Sequence, residues 1–348
     1  MRNMKELDKN SISRALNDSQ TVKFGWFKYQ SGLEGPYYFD LRSIASYPDA
    51  FKSVLLEYGK KIEQISVGTK PIIIGVPEAG SVFATGLSHI YGWKSLIIGK
   101  ENLNYSKCFH LKNLKEKVSE LDTIIKQNDL KNPLFTGIGY SVALAIELGL
   151  YYNTPSAITR IKAKSHGLGK KIEADLEKLT HVIDGITFIE TFALDLEDEK
   201  DITDDIKNEL AKSFPEIKIS HLNIPENIKN EIYDISELKQ YIDEELRHIF
   251  IVEDLFTTGQ SSILAYEKLI NYLDENNIKN IRVHIIGLID REEGAKDNFS
   301  QKKISAHCVI SLSELVKVMK ENNLLSEDQF NKIIEYNRKR QEQLKEKI

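Results

Sequence analysis

The chain has 348 residues, 41% of them apolar, and 47 Lys and Arg against 52 Asp and Glu give a net charge of -5. That apolar content suffices for the core of one large domain or two modest ones and excludes a disordered chain, while the acidic balance excludes general coating of nucleic acid, which needs a basic field. Two distant cysteines, Cys108 and Cys308, make neither a disulfide framework nor a zinc site, no apolar run approaches the ~20 residues of a membrane span, and residues 1–20 lack the apolar core of a signal peptide; the expectation is a soluble cytoplasmic protein with no membrane or nucleic-acid partner.

Strand-like and helix-like runs alternate along the chain. "KPIIIGV" reads as a buried strand, "SVFATGLSHIYG" as the helix after it and "KSLIIGK" as a second strand. Residues 111–128 show helical spacing at Leu111, Leu114, Val118, Leu121 and Ile125. "NPLFTGIG", "YSVALAIELGL" and "SAITRI" repeat the strand, helix, strand order. The two units share a faint similarity, but such units resemble each other by construction, so duplication stays open. "HIFIVED", "SILAYEKLINYLDENN" and "IRVHIIGLIDR" form a further unit of the kind that builds parallel sheets. The segment from about Ala174 to Glu245 differs, being rich in Asp, Glu, Lys and Ile, and reads as an insertion. The chain closes in a helical, charged stretch whose Lys and Arg form a solvated face.

The most informative stretch is "IFIVEDLFTTGQSS", Ile249 to Ser262. An apolar strand ending in Glu253 and Asp254 puts two carboxylates at the carboxyl edge of a sheet, where open α/β sheets bind ligands. The turn Thr257-Thr258-Gly259-Gln260-Ser261 then opens a helix, whose N–H groups favour an anion. Acceptors for sugar hydroxyls beside a phosphate cradle suit a sugar phosphate.

"IVEDLFTTGQS" closely resembles the phosphoribosyl-diphosphate (PRPP) motif of the type I phosphoribosyltransferases. The resemblance implies that Glu253 and Asp254 contact the ribose hydroxyls and that Thr257, Thr258, Gly259, Gln260 and Ser261 bind the 5′-phosphate. "SGLEGPYYFDLRSIASYP" resembles the amino-terminal hood of orotate phosphoribosyltransferases, with Tyr38 and Phe39 at the aromatic positions that cover the pyrimidine. "RIKAKSHGLGKK" resembles the family's mobile catalytic loop, with Arg160, Lys164 and His166 as the implied catalytic residues beside Asp254. Cations closing over diphosphate would stabilise the departing charge, with His166 a proton donor. "GLIDREEGAKD" matches the family's strand-end segment, and Arg291 would meet the edge of orotate.

The resemblance implies an α/β fold, a type I phosphoribosyltransferase-like parallel sheet flanked by helices, with an N-terminal hood and an inserted α/β or helical segment. Residues 1–65 would be the hood and its helices, 66–173 and 246–320 the core, 174–245 the insertion and 321–348 a C-terminal helix. The implied activity is orotate phosphoribosyl transfer in pyrimidine synthesis by a homodimer, with no protein metal ligand and Mg2+ bound through PRPP. The alternatives are transfer to another base, or a PRPP- or nucleotide-sensing regulatory protein. Three departures bear on activity: Gln30 replaces a lysine before the hood, Ile161 replaces a basic residue after Arg160, and Glu78-Ala79 occupy the loop after the first strand. That loop, Gly75 to Gly80, is expected to be the diphosphate loop, because it follows the hood directly.

Overall fold

The computed structural model describes residues 6–29, 32, 34–76, 79–98, 108–109, 118, 121–122, 125–126, 131–137, 141–159, 172–174, 176–189, 204–205, 207–208, 210–212, 215–223 and 248–345. A helix, α1 (Lys9–Asp18), leads into an antiparallel hairpin of β1 (Val22–Lys28) and β2 (Glu34–Phe39). A short 3-10 turn (Leu41–Ser46) follows, then α2 (Pro48–Ser66), which starts on a proline at a position where no helical N–H is needed.

Among the described residues the main sheet has six strands. In chain order they are β3 (Ile72–Gly75), β4 (Lys94–Ile98), the short β5 (Cys108–Phe109) and, after the second sheet described below, β10 (His248–Phe256), β11 (Arg282–Asp290) and β12 (Ser305–Ser311). Their spatial order is β12-β11-β10-β3-β4-β5, parallel except for β5. β10 runs at its centre, and Ile249 to Val252 are buried, the unbroken apolar run that a strand covered on both faces requires. The helix α3 (Ala79–Tyr91) links β3 to β4.

A second sheet holds β6 (Pro133–Gly137), β7 (Ser156–Ile158), β8 (Gly185–Ile189) and β9 (Lys218–Leu222), all parallel in the order β7-β6-β8-β9. It therefore combines strands from both sides of residue 174. Between β6 and β7 lies α4 (Ser141–Tyr152), whose residues 141–150 are all buried. A helix apolar all round must be covered all round: Val142, Ile146 and Leu150 join the core around α2 and α3, while Ala143, Leu144 and Leu148 pack with Val118, Leu121 and Ile125 and with Phe135. A single turn, α5 (Leu176–Leu179), precedes β8.

The remaining helices are α6 (Gln260–Glu275) between β10 and β11, α7 (Ala295–Gln301) between β11 and β12, and then α8 (Leu312–Glu321) and α9 (Glu327–Lys345). Ser311 and Glu314 close a reciprocal capping box at the start of α8. Among the described residues no helix is long and apolar enough to cross a membrane.

Candidate active site

β10 and its neighbours carry the candidate site. Val252 is in register with Gly75 of β3, and Glu253 with Gly287 of β11, so the acid pair stands where the sheet's pairing with β3 ends. The Val76 N–H donates to the Val252 carbonyl at 3.2 Å, and a Cβ at Gly80 would lie 2.2 Å from that same oxygen. Only glycine lets the first turn of α3 rest against the strand that carries the acids. From below, the hydroxyl of fully buried Tyr58 lies 2.9 Å from the Glu253 carbonyl oxygen and 2.7 Å from that of Ile286, bridging β10 and β11.

Glu253 Oε2 is buried with no hydrogen-bond partner. Burial, and then the Asp254 charge, hold the Glu253 carboxyl well above the usual carboxylate range. Burial raises Asp254 too, and the Arg42 guanidinium opposes it. Arg42 also lies 3.6 Å from Glu173. Glu173 donates its N–H to the Ile158 carbonyl at 2.8 Å, beside a bridge between Thr159 and Ile172. The residues on either side of the 160–171 segment are thus paired with each other close to the acid pair.

The next turn opens α6. Gly259 is its N-cap at φ 73° with no side-chain cap, and a Cβ there would meet the Phe299 ring at 2.4 Å. The carbonyls of Thr257 and Thr258 accept from the Ala295 N–H at 3.2 Å and the Asn298 side chain at 2.9 Å, so α7 steadies the turn. Thr258, Gln260 and Ser261 are exposed. N–H groups of a first turn with no capping side chain, at the positive end of a 16-residue helix, suit an anion.

Arg291 follows β11 and is buried. Its N–H donates to the Phe256 carbonyl at 3.0 Å, and its guanidinium carbon lies 4.5 Å from the Tyr29 ring centre and 5.2 Å from that of Tyr37. Arg291 Nη2 is 2.5 Å from Glu293 Oε1, and Arg291 Nε has no partner. Two aromatic faces and a carboxylate hold the cation in a fixed plane.

No family model matches the chain. An orotate phosphoribosyltransferase of Pyrobaculum aerophilum is 38% identical over 76 residues, 22% of this chain and 38% of that protein. One from Pyrococcus horikoshii aligns over 309 residues, 89% of this chain and 94% of the relative, at 20% identity. The solved UMP synthase of Leishmania donovani superposes with a TM-score of 0.48 and 16% identity, over 95% of this chain and 42% of that one. The chain is similar to orotate phosphoribosyltransferases. It spans 38%, 40% and 38% of the length of three such relatives.

Besides Arg291, the residues expected from the sequence are placed unequally. Glu253, Asp254 and the Thr257–Ser261 turn come together with Gly75 and Gly80 at the ends of neighbouring strands. Tyr38 and Phe39 do not share a face. Adjacent residues of a strand point oppositely, so Phe39 packs on Tyr37 at 5.4 Å while Tyr38 packs on Phe27 at 5.6 Å and lies in electrostatic range of Asp254 and Glu173. Arg160, Lys164 and His166, with Gln30, Ile161 and Glu78, lie outside the described residues, whereas Ala79 is the buried first residue of α3.

Tyr29, Tyr37, Arg42 and Tyr58 were not singled out from the sequence. The first two stand in an aromatic-rich stretch, "WFKYQSGLEGPYYF", where nothing local tells which rings meet Arg291. Tyr58 lies within the helical run "FKSVLLEYGKKI", where a tyrosine reads simply as core.

Proposed function

We propose that this chain transfers the 5-phosphoribosyl group of PRPP to orotate, giving orotidine 5′-monophosphate and diphosphate. The observation that carries this reading is the placement of Glu253-Asp254 and of Arg291 at the ends of adjacent strands of one sheet, β10 and β11. A ribose held by the acids then has its 5′-phosphate at the α6 turn and its C1 directed toward the side where Arg291 meets a base.

Ionised Glu253 and Asp254 accept from the two ribose hydroxyls and place negative charge near the anomeric carbon as its bond to diphosphate loosens. Arg291, fixed between Tyr29 and Tyr37, orients an anionic heterocycle for attack from the opposite face. Once ionised, the acid pair, whose Glu253 Oε2 has no partner, suits the hydroxyls of a ribose whose Mg2+, as the resemblance implies, would come with PRPP and offset diphosphate charge. Arg160, Lys164 and His166 remain proposed as cations and proton donor for the leaving group. The homodimer is proposed on the resemblance alone.

The test is orotate consumption by the purified chain with PRPP and magnesium. Turnover in the parent, lost in Asp254→Asn, supports the reading; PRPP binding without turnover moves it to another acceptor base or to a PRPP-sensing role.

A further inference from the structure

Arg291 already has a carboxylate of its own chain in place. Its Nη2 lies 2.5 Å from Glu293 Oε1, with 10% and 13% of the two side chains exposed. Burial opposes the charge on Arg291, and Tyr37, Glu293 and Tyr29 support it; of these three only Glu293 is a carboxylate. The phenols of Tyr29, Tyr37 and Tyr336 all feel the Glu293 charge, so that carboxylate belongs to the same cluster as the guanidinium. The local fold holds it there. The Arg291 N–H donates to the Phe256 carbonyl at 3.0 Å, and the Glu292 N–H to Asp290 Oδ1 at 2.8 Å. Between the two partners, Glu292 sits at φ 61°, a left-handed conformation that a glutamate seldom adopts. Its Oε2 accepts from the Ser313 N–H at 3.0 Å, the Ser313 hydroxyl at 2.6 Å and Asn337 Nδ2 at 3.0 Å. Anchors on β10, α8 and α9 thus fix the turn that carries both members of the ion pair.

This pairing has a chemical consequence. A buried cation needs a partner, and in the ligand-free chain Glu293 supplies it. An anionic base that met Arg291 would bring a second carboxylate to one guanidinium, and two carboxylates side by side repel. Glu293 then has to give way, and its partly exposed side chain offers the route. The exchange puts one carboxylate in place of another, so Arg291 is paired both before and after it. A neutral base makes no such demand and leaves Glu293 where it is.

We propose that Glu293 is a positioning residue that stands in for the carboxylate of an anionic base: it keeps the Arg291 guanidinium oriented in the empty site, is displaced when the base binds, and returns as the product leaves. The inference rests on the reading of Arg291 as the base-side cation and is tested by binding, apart from turnover. The probes are orotidine 5′-monophosphate and uridine 5′-monophosphate, which differ only in the carboxylate, titrated calorimetrically into the parent chain, Glu293→Gln and Glu293→Asp. Removing the competing charge should tighten the carboxylated nucleotide about 10-fold in Glu293→Gln, and by a smaller factor in Glu293→Asp, whose carboxylate is drawn back by one methylene; the other nucleotide should stay within about twofold in both. The ligand-free Glu293→Gln chain should melt below the parent, and saturating orotidine 5′-monophosphate should narrow that gap where uridine 5′-monophosphate does not. A carboxylated nucleotide bound no more tightly by Glu293→Gln than by the parent, or both nucleotides changed by the same factor, overturns the proposal; Glu293→Asp decides in the same way if Glu293→Gln does not fold. A parent that transfers phosphoribose to orotate while its affinities are independent of Glu293 removes this inference alone. Tightening specific to the carboxylated nucleotide in a chain without transfer removes the enzymatic reading and leaves the stand-in.

Discussion

Gly80 stands so close to β10 that a Cβ on it would lie 2.2 Å from the carbonyl oxygen of Val252, the residue before the acid pair. The contact is with backbone, which cannot rotate aside. Gly80→Ala should therefore push the start of α3 off the strand, at a cost of ~1–3 kcal/mol as for other overpacked sites. Urea denaturation gives the stability change, and the KM for PRPP should rise with it; an unchanged KM would separate the start of α3 from the phosphate side of the site.

Tyr58→Phe keeps the buried ring and removes only the hydroxyl that joins the Glu253 and Ile286 carbonyls. The expected loss is ~1–3 kcal/mol, since two buried acceptors lose a donor. Turnover should fall several-fold while the fold persists, as judged by circular dichroism and a thermal melt.

The acid pair predicts a trade between stability and activity. Both carboxyls titrate above their ordinary range in the folded chain, Glu253 most strongly. Between the unfolded and folded pKa values the folded state binds more protons, so this contribution is fully present below the unfolded value and is lost as pH rises through the folded one. Glu253→Gln should accordingly raise the melting temperature of the ligand-free chain at neutral pH and reduce turnover. The acid limb of kcat/KM should lie above the usual carboxylate midpoint. A melt that drops at neutral pH in Glu253→Gln would contradict this. The groups whose charge reaches the pair, and which also shape the limb, are Arg42, Tyr38 and Tyr58.

A histidine chain gives the opposite sign. His248 Nδ1 lies 2.9 Å from His284 Nε2, and His284 Nδ1 lies 2.9 Å from Ser305 Oγ. Burial, then the neighbouring His248 and His307, push His284 down to about 4. Here the unfolded chain binds the extra proton, so stability is lost as pH falls from the ordinary histidine range toward the folded value. His284→Phe should flatten the fall in melting temperature across that window; an unchanged slope would place the acid sensitivity elsewhere.

Arg291 tests the base side. Lysine offers neither the planar fork nor the stacking that Tyr29 and Tyr37 provide for a guanidinium. Arg291→Lys should raise the KM for orotate roughly 10- to 100-fold, the equivalent of one charged hydrogen bond, with the KM for PRPP little changed.

The main sheet was legible because its strands advertise themselves. "IIIG", "HIFIVED" and "IIGLID" are continuous apolar runs, and Glu253-Asp254 interrupt one of them where burial alone would not put acids. Val118, Leu121 and Ile125 kept their helical spacing and are buried together. The second sheet was not legible as such. "NPLFTG" and "SAI" look like strands of any parallel sheet, and nothing local says that β6 pairs with β8 at Leu134 and Ile186 rather than with the main sheet. Partner choice between parallel strands is a long-range property. The orientation of the β1–β2 hairpin was hidden for a related reason: Tyr37, Tyr38 and Phe39 are consecutive, and only the pairing of β2 with β1 and the packing of α9 decide which ring reaches Arg291.

The measurement that tests the central claim most directly is orotate consumption with PRPP and magnesium, parent against Asp254→Asn. The account predicts steady turnover to orotidine 5′-monophosphate in the parent and a loss of about 100-fold or more in the variant, the scale of a lost electrostatic contact in a transition state. Turnover unaffected by Asp254→Asn, or none in a parent that binds PRPP, would contradict it.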